Sequence, residues 1–412
     1  MAAAGRPDQV WSARLRRRCP ELLQGTGGVV SYLFWFALLA LLITAAGAIE
    51  IVIGSRRIRY LREIELLPEA DLPKVSLVIA ARNEAAAIRP ALETLLRQEG
   101  VPLDILVVND RSEDDTGAIA RRIAEADPRV RVIDTETLPE GWLGKNHALH
   151  LGAADARSKW LLFTDGDVMM SPTAVARAVS YAEREKLDML AVAPELRMPT
   201  PLANLFAGTF VLLFYQYARP WLARRKSSRR HIGVGAFNLI RTSVYRAVGG
   251  HSRIPLRPDD DMALGKVVKL AGFAQDALHG TDAVIVTWYT SLREAVLGLE
   301  KNAFTGLKYS LTAVVAACLA ILLFGVGPWI GVFATSGPTQ LLFLGCIVTS
   351  IALYVDSTSS SGADPRFAPA FPIALVVFCY IIARAALLAV TRGEVRWRGR
   401  GYPLDQLRRN RI

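Results

Sequence analysis

Apolar positions along this chain follow two patterns. In the first the runs are long and unbroken. Residues 29–54 (VVSYLFWFALLALLITAAGAIEIVIG) carry a single ionisable side chain, Glu50. About 20 apolar residues span the hydrocarbon core of a bilayer, so this block can anchor the chain. It is too long for the apolar part of a cleaved signal sequence. No convincing small-residue cleavage site precedes the cluster Arg56, Arg57 and Arg59. Three further blocks come late, at 309–334, 341–355 and 370–390. The middle one is short, as a re-entrant or tightly packed segment would be.

Between these blocks the pattern changes. VSLVIAARNE, from Val75, is a buried-strand run that ends in polar residues. The stretch from Glu84 has helical apolar spacing at Ile88, Leu92, Leu95 and Leu96, with Gly100 as its expected cap. LDILVVND from Leu103 is a second strand, and Ser112 is the expected N-cap of the helix after it. A short strand at Val130, a helix from Asn146 to Ala156 and a strand WLLFTDGD from Trp160 follow. Strands alternating with helices predict an α/β domain with a parallel sheet covered on both faces.

Composition sharpens this division. The chain has 412 residues, 52% hydrophobic and 21% charged, with a net charge of +11. So much apolar content excludes a disordered chain. The four cysteines show no disulfide framework and no metal-ligand spacing. The basicity comes mostly from arginines flanking the apolar blocks, so an anionic bilayer is the expected partner and nucleic acid is not. Residues 202–230 run from apolar and aromatic to strongly basic (Arg224, Arg225, Lys226, Arg229, Arg230), as in an interfacial helix meeting anionic lipid. The expected layout is a basic tail (1–28), an anchor (29–54), an α/β domain (72–306), a membrane bundle (309–391) and a second basic tail (392–412). Arginines on the two sides of the anchor balance, but the second tail is rich in them and should be cytoplasmic. If all four blocks crossed, that tail would lie opposite the α/β domain. A late block that does not fully cross is therefore expected.

The candidate chemistry sits where strands end: Arg82-Asn83-Glu84, Asn109-Asp110 and Asp165-Gly166-Asp167. Open α/β sheets bind ligands beyond the carboxyl ends of their strands. Asp165 and Asp167 stand at i and i+2, so on an extended strand end both point the same way. Such a pair suits a hard cation that completes its shell with substrate phosphates and water. Asp259-Asp260-Asp261 opens the segment MALGKVVKLAGF. These carboxylates either complement a helix dipole or supply a general base, and both roles stay open. GWLGKN (141–146) runs a Gly-rich turn into a helix N-terminus that can hold an anion, with Lys145 adding charge. Walker spacing is absent, and no G-x-G-x-x-G opens the first helix.

Taken in order, VSLVIAARNE, VVNDRSEDDT, GWLGKNHALHLGA, LLFTDGDV, GVGAFNLIRTSVYRAVGGH and DDDMALGKVVKLAG resemble glycosyltransferase family 2. These are inverting nucleotide-sugar transferases with a GT-A fold, and the likeness covers roughly residues 74–306. GWLGK with the anchor and late apolar blocks looks most like the hopanoid-associated and carotenoid-acid branch. The resemblance implies donor contacts from Asn83, Glu84, Asp110, Lys145 and Asp165. It implies Mg²⁺ or Mn²⁺ on Asp167 and Asp165, and catalysis by Asp261 with Asp260. Gly249 and Gly250 match an acceptor-side loop, and Lys301 and Asn302 match a pair near the acceptor or phosphates. Asn109 and Arg111 depart from the usual Asp and Gly. The Q-x-x-R-W motif of polymer synthases is missing, which implies one transfer rather than processive synthesis. The implied function is inverting, metal-dependent transfer of a single sugar from a nucleotide-sugar, of UDP type, to a membrane lipid. The implied setting is the inner membrane with a cytoplasmic catalytic domain. Transfer to polyprenyl phosphate or a lipid-linked glycan is the alternative, and a non-catalytic membrane scaffold is the alternative of another class.

Overall fold

The computed structural model describes residues 20–410 and 412. The arginines at 6–18 and Cys19 lie outside the described residues. The strands are β1 (Val75–Ala81), β2 (Leu103–Asp110), β3 (Val130–Thr135), β4 (Trp160–Asp165), β5 (Met169–Met170), β6 (Met189–Ala193), β7 (Glu195–Arg197), β8 (Asn238–Arg241), β9 (Gln275–His279), β10 (Val284–Thr287), β11 (Glu394–Trp397) and β12 (Arg400–Pro403). The main sheet has the order β3-β2-β1-β4-β8-β6-β9. It is mixed rather than all parallel, because β8 runs antiparallel to both β4 and β6. The expected helices cover it on both faces. Leu77, Ile79, Ile105, Val107 and Leu162 pack with Ile88, Leu92, Val175 and Val179 on one face. Val78, Leu106, Val108, Leu161 and Phe163 pack with Ala148, Leu149, Leu264 and Val268 on the other. Period-two alternation along each strand sends successive residues to opposite layers. A strand buried on both sides is therefore apolar throughout.

Register then builds the site. Ala81 pairs with Asn109 and Ala80 with Asp165, so the polar ends of β1, β2 and β4 lie side by side. The antiparallel β8 begins where β4 ends, with Asn238 opposite Phe163. The glycine-rich segment before β8 is thereby delivered to the same edge. Two expected caps fall elsewhere. The first helix ends at Leu96, with Arg97 as its C-cap, so Gly100 (φ 73°) serves the loop beyond. The second helix starts at Thr116, and the Ser112 hydroxyl accepts from the Asn83 N–H instead (3.1 Å).

Among the described residues, four helices are long and apolar enough to cross a membrane: Tyr32–Ser55, Leu311–Ala334, Gly337–Ser361 and Pro365–Arg392. The second of them contains a π-helical segment, Ile321–Val326. The middle late block is not short after all, because its helix continues into the polar residues up to Ser361. The last helix is the unusual one. Its first turns (Phe371, Ala374, Leu375) pack with Ile58, Tyr215 and Trp221. Further along, Ile381 meets Phe206, Ala295 and Leu299. Its end (Ala385, Ala389) packs with Leu143 and Leu256. This helix therefore packs against the helices Pro201–Ala218 and Leu292–Gly306, and also against the apolar helix Leu311–Ala334. The segment Pro201–Ala218 is a helix that packs with it through Phe206 and Phe378. Arg224, half of its side chain exposed, pairs with Glu185 and with Asp276 (3.2 Å). After Arg392, β11 and β12 make a hairpin, followed by the helix Leu404–Arg409.

Candidate active site

A recess at the end of β4 is lined by Lys145, Thr164, Asp165, Gly235, Asn238, His251, Asp260 and Asp261, over a floor of Leu149 and Phe163. Lys145 is the second residue of the helix Gly144–Asp155. Its ammonium lies 2.7 Å from Asp165 Oδ1 and 3.7 Å from Asp260 Oδ1. Burial pulls the Lys145 pKa down, but Asp165, Asp260 and Asp261 outweigh it, and the pKa is raised. Asp165 is the reciprocal case. Burial opposes its ionisation, yet Lys145 holds its pKa below the ordinary value.

Asp167 has no such partner. Burial first, then the charges of Asp165 and Glu84, push it up to about 7. Burial also raises Glu84, with Arg398 acting in the opposite sense. This excess of carboxylate charge beside a strand end is what a divalent cation relieves. Among the described residues, no group of three or more His, Cys, Asp or Glu could hold a metal ion. As oxygen donors, Asp165 and Asp167 are of the kind that would suit a cation taking its remaining ligands from phosphate and water, as Mg²⁺ does.

Asp260 and Asp261 open the helix Asp260–Leu270. Asp261 Oδ2 accepts from the Gly235 N–H at 2.8 Å, and its Oδ1 accepts from the Met262 N–H. Burial, reinforced by Asp260, raises the pKa of Asp261, and burial likewise raises that of Asp260. A carboxylate with a raised pKa, aimed into a recess, is equipped to accept a proton near neutral pH. Gly235 joins the two halves of the site. A Cβ there would lie 3.0 Å from Asp165 Oδ2, 3.4 Å from Lys145 Nζ and 3.5 Å from Asp261 Oδ2. Asn146 holds the loop before these aspartates, its amide donating to Ile254 O (2.7 Å) and Arg257 O (3.0 Å).

The other predicted residues are placed differently. Asn83 is exposed with φ 56°, and its Oδ1 accepts from the Glu113 N–H, which ties two strand-end loops together. Asp110 is buried at the same edge, held by Arg111 at 2.7 Å. Gly249 and Gly250 do not line the recess. Both have positive φ, and the ring of Tyr245 fills the place of a Gly250 Cβ. Their turn instead carries His251 into the lining, where burial lowers its pKa to about 3 and keeps it neutral. Lys301 reaches the carboxylate side from the helix Leu292–Gly306. Burial, then Lys145 and Arg398, bring its pKa down to about 8. The neighbouring Asn302 Oδ1 is buried without a hydrogen-bond partner. Sequence reasoning missed Gly235, Asn238 and His251. The doublet of glycines in GVGAFN was the available signal for the first two. Nothing local marked His251.

Residues 76–249 match the model of the family described as "Glycosyl transferase family 2". The chain is 23% identical over 347 residues to the 4,4'-diaponeurosporenoate glycosyltransferase of Staphylococcus aureus (strain USA300), a match covering 81% of this chain and 89% of that one. It is 25% identical over 252 residues to the protein of the same name from Staphylococcus haemolyticus (strain JCSC1435). That match covers 60% of this chain and 66%, just under two thirds, of the relative. Among solved structures, the fold is similar to mannosyltransferase PcManGT from Pyrobaculum calidifontis, in complex with GDP-Man and Mn²⁺. The TM-score is 0.54 at 16% identity, over 85% of this chain and 99% of that one. The sheet order, the strand-end carboxylates and these likenesses agree: residues 76–249 match glycosyl transferase family 2, the fold is GT-A-like, and the chain is similar to glycosyltransferases.

Proposed function

We propose that the protein transfers one sugar, with inversion, from a nucleotide-diphosphate donor to a hydroxyl of a membrane lipid. The observation that carries this is the shared hold on Gly235. The base candidate Asp261 is bonded to it, while the Lys145–Asp165 pair stands against it from the other side. A donor's leaving group and an acceptor's hydroxyl would thus meet within one recess. Asp110 and Glu84 flank the nucleotide end, and Lys145 meets the diphosphate. Asp165 and Asp167 would hold Mg²⁺ or Mn²⁺, which supplies charge neutralisation for the departing diphosphate. Asp261 takes the acceptor proton, and its raised pKa suits it to do so near neutral pH.

A lipid acceptor is supported by the apolar shell around the site. The helices Pro201–Ala218, Leu292–Gly306 and Phe371–Arg392 pack together beside it through Phe206, Leu299 and Ile381. Of the four apolar helices, we place three across an inner membrane. The last lies along the interface, with both ends on a cytoplasmic catalytic domain. That arrangement returns the arginine-rich C-terminus to the cytoplasm, as the charge rule requires.

The test is a donor screen. Purified full-length protein is incubated with UDP-, GDP- and dTDP-sugars, a divalent cation and a membrane lipid extract, and new glycolipids are identified by mass spectrometry. A glycolipid formed by wild type and absent with Asp261→Asn supports the proposal. Sugar found only on polyprenyl phosphate, with Asp261→Asn retaining turnover, replaces the hydroxyl acceptor by a phosphate. Absence of any transfer to lipid removes the lipid acceptor.

A further inference from the structure

The donor end of the site has a wall that none of the motif residues supplies. After Arg392 the chain turns at Gly393 (φ 69°) into β11, and β12 returns along it. Arg398 and Gly399 form the two-residue turn at the tip, both with positive φ (47° and 79°), as such hairpins require. Positive φ is uncommon for an arginine. The base of the hairpin is firmly seated: Val395, Tyr402, Leu404 and Leu407 are buried against Leu143, Leu256, Ala385 and Ala389.

The tip crosses the strand-end residues. The Arg398 guanidinium donates to Glu84 Oε1 at 3.1 Å. Trp397 faces the helix Leu292–Gly306, with Lys301 Nζ 4.0 Å from its ring centroid. Arg398 lies within electrostatic reach of Asp165 as well as Glu84. On the other strand, Tyr402 lies within electrostatic reach of Arg111, Asp110 and Arg82. The hairpin tip therefore stands between Glu84 and Lys301 at the edge of the site.

Charge identifies what the tip is for. Lys145, paired with Asp165 and Asp260, serves the diphosphate from the inner side of the recess. Lys301 is half-buried, with its ammonium against the Trp397 ring. Arg398 keeps 40% of its side chain exposed and is tied to one carboxylate oxygen. A nucleoside diphosphate entering here adds negative charge beside Glu84, and guanidinium is the side chain best shaped to grip phosphate with two parallel hydrogen bonds.

Resting on the nucleotide-donor reading above, we propose that Arg398 is a ligand of the donor's diphosphate. The C-terminal hairpin is the outer wall of the donor site, and on donor binding Arg398 exchanges Glu84 for phosphate oxygens. Trp397 holds Lys301 beside it.

Calorimetric binding to the full-length protein in nanodiscs tests this. UDP, GDP, ADP, CDP and dTDP are titrated first, and then the monophosphate of whichever binds. Arg398→Gln should weaken diphosphate binding roughly ten- to hundredfold, the loss of a charge-assisted contact, while monophosphate binding changes little. Arg398→Lys should fall between. Unchanged or tighter diphosphate binding by Arg398→Gln overturns the proposal alone, leaving Arg398 as a counter-ion of Glu84. Equal losses for mono- and diphosphate overturn it too, because the effect would then be structural. If the wild type binds none of the five diphosphates, the nucleotide-donor reading falls and this proposal falls with it.

Discussion

Replacing Lys145 by Met keeps the length of the side chain and removes its charge. Lys145 stands 2.7 Å from Asp165 and 3.7 Å from Asp260. At an effective dielectric constant of ~20 these attractions amount to about 6 and about 4–5 kcal/mol before desolvation is subtracted. Removing one partner of a buried pair costs about 3–5 kcal/mol net. The Asp165 side chain is 40% exposed, so solvent screens part of this, and about 2–3 kcal/mol is expected here. For a chain of 412 residues that lowers the melting temperature by roughly 2–4 °C. The sign with pH follows from Asp165, whose pKa Lys145 holds below its ordinary value. Stability from that pair is present above the unfolded carboxylate pKa and is lost as pH falls through the folded one. In Lys145→Met the opposed carboxylates are relieved by protonation. The gap between wild type and variant should therefore be wide at pH 7.5 and narrow towards pH 5. Thermal unfolding followed by intrinsic fluorescence, in detergent and without divalent cation, measures it. A variant as stable as wild type at pH 7.5, or a gap that widens on acidification, would refute the reasoning.

Asp261→Asn should lower the transfer rate about 10²–10⁴-fold with little change in donor KM. In wild type, kcat/KM should decline as pH falls through a pKa displaced above the usual carboxylate value of ~4, because burial and Asp260 raise Asp261. An acid limb near pH 4 would remove Asp261 as the base. Gly235→Ala should reduce kcat about tenfold or more while leaving the melting temperature nearly unchanged. Its Cβ presses on the ends of Asp165 and Lys145, displacing them by a few tenths of an ångström, and only touches Asp261, and catalytic geometry is more sensitive than packing to such shifts. A proportional loss of stability would count against that account. For topology, Glu140→Cys and Asp405→Cys in a Cys19→Ser background should react with an impermeant thiol reagent from the same side of sealed vesicles. Labelling from opposite sides would mean that all four apolar helices cross.

Much of the α/β core was legible because its causes are local. A strand buried on both faces must be apolar at every position, so β1, β2 and β4 announce themselves, and their polar ends follow as soon as the apolar run stops. The two caps went astray because capping depends on which loop claims the side chain. Ser112 had a better donor in Asn83, which is distant in sequence and adjacent in the sheet. The antiparallel β8 was hidden for a related reason. Its four residues look like any short buried strand, and direction is set by which neighbour it pairs with.

By itself, then, the sequence determined that this chain has a parallel-type core with carboxylates at its strand ends, flanked by helices apolar enough for a membrane. Those properties are sums over neighbouring residues. Tertiary structure alone decided that Gly235 stands between Asp165 and Asp261. It alone packed the last apolar helix against the helices Pro201–Ala218 and Leu292–Gly306 and returned Arg398 to Glu84, 314 residues away. Contacts that distant leave no periodicity in the chain. They arise when packed faces bring remote segments together, and a run of apolar residues buries equally well against lipid or against protein.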